Sequence, residues 1–224
     1  EILNRSFDPT NNWLRVNDAE AFRRIHLNGK SIYVPTIDWT AAVTGSGTTS
    51  QGPTEGAITT GTTTGSTSRL YTSLFVLGGA DGIDFSKRIL WGFTVRRATD
   101  NADIIARWQL KAATTEGALA AAGIGLRAAN LTLTGESYGT SGAFTSTIQA
   151  MATATTYGIL IDHEPAVPRI RFYVNGVLQA TVTTAGNQPT ASVSNCAMLI
   201  SVLNGAGTAN GQSDIANISL YQEH

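Results

Sequence analysis

From about residue 57 onward, apolar and polar positions alternate in short runs separated by turn residues. "RILWGFTVRRA" (88–98) puts Ile89, Trp91, Phe93 and Val95 on one face, and "DIIARWQLKAA" (103–113) aligns Ile104, Ala106, Trp108 and Leu110. A period of two is the mark of a half-buried strand. "RLYTSLFVLG" (69–78), "GIGLRAANLTLTGES" (123–137), "FTSTIQAM" (144–151), "TYGILIDHE" (156–164), "RIRFYVNGVLQATVTT" (169–184), "CAMLISVLNG" (196–205) and "SDIANISLYQE" (213–223) follow the same rule. The sharpest local signal is Asn175-Gly176 between two alternating runs. Both residues tolerate positive φ, so a two-residue type I′ hairpin is predicted. About a dozen antiparallel strands at this spacing predict an all-β chain, an antiparallel jelly-roll β-sandwich. Only "EGALAAAG" (116–123) suits a helical turn.

The first 40 residues break this pattern. "FDPTNNWLRVN" carries turn signals at Asp8-Pro9 and Asn11-Asn12, then a short strand from Trp13 to Val16. "NDAEAFRRI" predicts about two helical turns, capped by Asn17 or Asp18, with Ala19, Phe22 and Ile25 or His26 along one side. "HLNGKSIYVPTIDWT" predicts a small hairpin around Asn28-Gly29. Residues 1–40 therefore read as an arm or small subdomain. Residues 41–56, rich in Gly, Thr and Ser, read as a linker, and 57–224 as the jelly-roll domain.

Composition narrows the function. The chain has 224 residues, a formal charge of −1 and 14% charged residues, which excludes a basic nucleic-acid footprint and a polybasic membrane patch. No apolar run approaches the ~20 residues of a membrane helix. One cysteine, Cys196, excludes an internal disulfide and a cysteine-based zinc site. Its apolar neighbours, "CAMLISVL", make it a small buried hydrophobe. Thr, Ala, Gly and Ser with sparse charge suit a rigid β-structure, and also subunits of large assemblies. The chain begins at Glu1, so residues have been removed or the numbering starts inside a longer gene product.

Tyr157 to Asp162, then Ile170 to Leu178 with "RFYVNGVL", then Asp214 to Tyr221 with "DIANISLY", follow one another in a telling order. This order resembles concanavalin A-like lectin/glucanase jelly rolls, laminin-G-like modules included, over about residues 57–223. Their final strand closes a sheet beside the first. These motifs are structural, and they speak to fold more than to activity. Separately, Leu3, Asn4, Phe7, Asp8, Asn12, Leu14, Arg15, Val16 and Asn17 match a leader similar to that of tailed-bacteriophage virion proteins.

Glucanases of the resembled superfamily carry E-x-D-x-E or E-x-D-x-x-E on one strand, and alternation places positions i, i+2 and i+4 on one face. Here Asp162 and Glu164 occupy the second and third places, but Leu160 stands where the nucleophile belongs. Asp162 is therefore expected to end a strand, Glu164 to be a solvated loop carboxylate and His163 an exposed loop residue. No catalytic residue is assigned. The likeness to legume lectins raises calcium at Asp81/Asp84 or Asp100/Asp103, but neither turn has an EF-hand spacing, and no cofactor or metal is expected. Trp91 and Trp108 share faces with core residues. Tyr138, placed in a "GESYGTSG" loop, is the candidate glycan contact. Phe7, Trp13, Leu14 and Trp39 are the candidate contacts for anchoring to a particle or sister subunits.

These readings converge on a non-enzymatic phage virion protein: a capsid decoration, head-fibre or tail-associated subunit at the particle surface. Its expected partners are sister subunits (a trimer), capsid or tail proteins, and host or environmental glycans. Nucleic acid and membrane insertion are not expected. A carbohydrate-binding module outside a virion is the alternative, and a glucanase ranks last.

Overall fold

The computed structural model describes residues 5–8, 13–16, 22–24, 26–27, 30–31, 39–51, 55–73, 83–97, 103–193, 196–205 and 210–223. Within them, two small hairpins precede the main body. β1 (Arg5–Asp8) pairs with β2 (Trp13–Val16), and β4 (His26–Leu27) with β5 (Lys30–Ser31). The second pairing is the hairpin expected around Asn28-Gly29, residues that themselves lie outside the described set. Between these hairpins, β3 (Phe22–Arg24) is a strand where a helix was expected. Its backbone groups find partners on the final strand, so tertiary pairing overrides a weak helical pattern.

The described strands of the main body form two antiparallel sheets. One holds, in spatial order, β18 (Val177–Val182), β17 (Arg169–Val174), β16 (Thr156–Glu164), β11 (Ile89–Arg97), β21 (Gln212–Glu223), β8 (Glu55–Thr59) and β7 (Thr48–Gln51). β3 joins it as an eighth strand, on β21. The other runs β15 (Gly142–Ala150), β14 (Thr132–Gly139), β13 (Gly123–Ala129), β12 (Ile104–Lys111), β20 (Ala197–Asn204), β9 (Thr67–Ser73) and β6 (Thr40–Thr44). A short ladder of β10 (Ile83–Asp84) with β19 (Ser192–Val193) lies outside both. The expected antiparallel sandwich is present, and β21 closes its sheet beside β8, the first strand after residue 54.

The inward phases of the strands meet in one core. Ile89, Trp91, Phe93 and Val95 of β11 pack with Ile159, Ile161, Phe172 and Val174 from the same sheet. Ala106, Trp108, Leu110, Ile124, Leu126 and Ile200 face them from the other. Cys196 is buried there too, as expected, and burial pushes its thiol pKa far up. Fully burying side chains of this size contributes roughly 1.5–3 kcal/mol each. The β17–β18 hairpin turns through Asn175 (φ 50°) and Gly176 (φ 80°), the two positive values that a type I′ turn demands.

The described residues of segment 41–56 do not form a flexible linker. Its Thr-rich runs form β6 and β7, one at the edge of each sheet, so this chain stretch laces the two sheets together. Gly45 makes the crossing at φ 81°, where a Cβ would lie 2.2 Å from the Ser66 hydroxyl. Trp39 likewise leaves the arm: it is 8% exposed and belongs to the core. Residues 116–123 form bends and the start of β13, and the described residues contain only a single 3₁₀ turn, Ala185–Asn187.

Candidate functional site

Alternation along β16 sends Tyr157, Ile159, Ile161 and His163 into the core, and Leu160, Asp162 and Glu164 to the opposite, outer face. The glucanase-type triplet thus shares one face, as its spacing implies, with Leu160 in the nucleophile's place. The strand runs on to Glu164, beyond the end expected at Asp162. Asp162 has no exposed surface because arginines lie over it. Arg88 donates to both its oxygens, Nε at 3.1 Å and Nη2 at 3.2 Å, and Arg171 Nη2 donates to Oδ2. Glu164 accepts from Arg169 Nε at 2.8 Å and from Arg171 Nη2 at 3.1 Å, with Arg88 Nη1 at 3.3 Å. Glu164 is a held strand residue, not a solvated loop carboxylate.

His163, expected on the surface, is fully buried instead. Its Nε2–H donates to the Pro189 carbonyl at 3.0 Å, and its ring meets Phe85 edge-on. Burial disfavours the imidazolium and lowers its pKa to about 4. An inward position on β16 leaves this group no access to solvent or to Asp162's face.

A shallow cavity of about 380 Å³ lies elsewhere on the outer face of the eight-stranded sheet, lined by Thr94, Arg96, Thr156, Gln212 and Asp214 among others. Arg96 and Asp214 are cross-strand neighbours that neutralise one another, Nε to Oδ2 at 2.9 Å. Gln212 Nε2 adds a bond to Asp214 Oδ1 at 3.1 Å. No aromatic side chain is among the described lining residues, so a stacking surface is missing there.

The outer face of the seven-stranded sheet differs. Its inward phase is largely apolar, and its outward phase is largely polar from β9 to β15, with Leu199, Ile105 and Leu203 as apolar exceptions. The register aligns these outward residues in rows across the strands. One row reads Arg69, Ser201, Arg107, Arg127, Thr134, Thr147. The next reads Tyr71, Leu199, Gln109, Gly125, Glu136, Thr145, and a third contains Lys111, Gly123 and Tyr138. Neighbours within a row stand about 4.8 Å apart, one strand spacing. The loop after β12 folds back over this face: Glu116 pairs with Arg69, and Lys111 Nζ donates to the Gly117 carbonyl at 3.4 Å.

Several polar groups on this face are buried although they point away from the core. Gln109, Lys111 and Glu136 are all 5% exposed or less. They satisfy one another: Gln109 Nε2 donates to Glu136 Oε2 at 2.9 Å, and Lys111 Nζ to Gln109 Oε1 at 3.3 Å. Arg107 Nε stands 3.6 Å from Glu136 Oε1, an ion pair without a hydrogen bond. Burial lowers the pKa of Lys111, and Arg107 beside it adds to the effect. Burial also lowers that of Arg107, against the pull of Glu136 and with help from Arg127. Burial works to raise the Glu116 carboxyl, but a backbone hydrogen bond and Arg69 outweigh it and hold the group low.

Among residues singled out from sequence, Tyr138 sits on this face, half-buried at the end of β14 rather than in a loop. Phe7 and Leu14 are cross-strand partners in β1–β2, next to the pair Asp8–Trp13; their side chains lie outside the described set. Trp39, as noted, is spent on the core. Asp81 and Asp100 lie outside the described residues, among which no group of three His, Cys, Asp or Glu side chains is arranged to hold a metal. The arginine row was missed altogether. Its signal was present, since each arginine occupies the polar phase of a recognised strand, but nothing local says that three separate strands share a row.

No family model and no curated protein matches this chain. Similar solved structures exist at low identity. The Emp47p carbohydrate recognition domain superposes with a TM-score of 0.56 at 13% identity, covering 92% of this chain and 99% of that one. A sialidase gives 0.56 at 11% identity over 82% of this chain. A botulinum neurotoxin type C, described by its interaction with two ganglioside molecules, gives 0.52 at 8% over 92%. The match covers only 17% of the sialidase structure's chain and 49% of the neurotoxin structure's chain. These likenesses establish a lectin-like jelly-roll fold.

Proposed function

We propose that this domain is a non-catalytic carbohydrate-binding module whose ligand lies across the outer face of the seven-stranded sheet. The observation that carries the reading is the set of polar rows on that face, which include Tyr71 and Tyr138. Hydroxyls, amides and guanidinium groups held by a rigid sheet suit sugar hydroxyls, and tyrosines offer stacking edges. The near-complete overlap with a carbohydrate recognition domain supports it. So does Leu160, which stands where a hydrolase of this fold needs its nucleophile, while Asp162 and Glu164 are held by arginines. A glycan array probed with the purified chain tests the proposal. Binding that disappears in Thr134→Trp, which places a bulky ring in the arginine row, is the expected result. An empty array sinks the reading.

The finer reading puts this module on the surface of a tailed-phage particle, as a homo-oligomeric subunit, with residues 1–40 as the attaching arm. It rests on the leader "LNRSFDPTNNWLRVN". Deleting residues 1–17 is expected to abolish particle incorporation while the jelly roll still folds; incorporation at the parental level refutes it.

A further inference from the structure

We propose that the row Arg69–Arg107–Arg127 selects an acidic sugar, one carrying a carboxylate or a sulfate. This rests on the carbohydrate-binding reading and names the class of ligand. Arg107 and Arg127 are directly opposed cross-strand residues. Like charges in that position destabilise a sheet, so the fold itself gains nothing from the pairing. Arg69 stands in the same row, two strands from Arg107 across the small Ser201.

The carboxylates on this face do not balance it. Among the described residues, Arg69, Arg107, Lys111 and Arg127 face Glu116 and Glu136. Glu116 is taken by Arg69. Glu136 is divided between Gln109 and Arg107. That leaves Arg127 without a carboxylate. The Nε atoms of Arg69, Arg107 and Arg127 are all shielded from solvent with no hydrogen-bond partner. Those Nε atoms are closed to a ligand as they are to water, so an incoming anion meets the terminal nitrogens of the half-buried Arg127, which are not closed off in this way. The guanidinium fork matches the planar geometry of a carboxylate and the oxygens of a sulfate. Beyond Arg127 the row continues as Thr134 and Thr147, short hydroxyl side chains that leave room for a ring and can bond its hydroxyls.

The test is an array that prints each acidic glycan beside its neutral counterpart: sialylated against desialylated, and sulfated against unsulfated. Calorimetric titrations of the full chain with 3′-sialyllactose and lactose, and with galactose 6-sulfate and galactose, follow. The acidic member of at least one pair is expected to bind at least about tenfold more tightly, and less so as salt is raised. The pair that discriminates says whether carboxylate or sulfate is read. Arg127→Gln is expected to erase that preference while melting like the parent chain, and Arg127→Lys to restore part of it. Equal binding of acidic and neutral members, or a preference that survives Arg127→Gln, overturns the inference and leaves the carbohydrate-binding reading standing. Binding to neither class removes both.

Discussion

On the outer face of each sheet, three of the described arginines form a set, and the two sets have opposite settings. On the eight-stranded sheet, Arg88, Arg169 and Arg171 close around Asp162 and Glu164, and every guanidinium has a carboxylate. The cluster is a brace: it ties the segment before β11 to β16 and β17. On the seven-stranded sheet, Arg69, Arg107 and Arg127 stand in a row in which Arg127 has no carboxylate among the described residues and two arginines oppose each other. Buried charge that is matched at home supports structure, whereas charge left unmatched is available to a partner. The same residue type therefore does different work according to what the register places beside it.

The comparison breaks most readily at Asp162. Asp162→Ala leaves Arg88 and Arg171 facing a buried gap, and a loss of about 3–5 kcal/mol is expected in denaturant unfolding. A loss below about 1 kcal/mol would show that the brace is not structural. His163, on the inner side of the same strand, gives the next largest effect. Its folded pKa is about 4, below the unfolded 6.5, so the unfolded chain takes up the proton first as pH falls. Its stabilisation is complete above pH 6.5 and lost on acidification: about 2 kcal/mol by pH 5 and about 3 by pH 4. Unfolding free energies measured at pH 7, 6 and 5 check the slope, which is expected to flatten by that amount in His163→Gln. The smallest effect belongs to Arg127→Gln. Removing one of two opposed cations is expected to leave stability within about 0.5 kcal/mol of the parent, on the stabilising side. A loss of several kcal/mol would make the row a second brace and end the contrast.

Much of the fold was legible beforehand because strand alternation is a local property. Trp91, Phe93, Trp108 and Leu110 advertise an inward face without reference to any other strand. Asn175-Gly176 specifies its own turn, since φ preference belongs to the residue. Errors fell where long-range pairing decides. Thr40–Thr44 and Thr48–Gln51 look like a linker until each finds a sheet edge, and Phe22–Arg24 looks helical until β21 offers a ladder. His163 was misplaced because the two prolines after it suggested an early strand end, yet pairing with Arg169 and Ile170 carries β16 through Glu164.

What the sequence determined alone was the class of structure and the sides of its strands, because side-chain alternation and turn chemistry act within a few residues. Through its resemblance to glucanase jelly rolls, it also put Leu160 where such an enzyme would carry its nucleophile. Only the tertiary structure decided which polar residues meet. Register joins Arg69, Arg107 and Arg127, which lie as far as 58 positions apart in the chain, into one row. It also surrounds Asp162 with arginines from two other segments. Charges act through space, so their meaning appears only once hydrogen-bonded strands have set the distances between them.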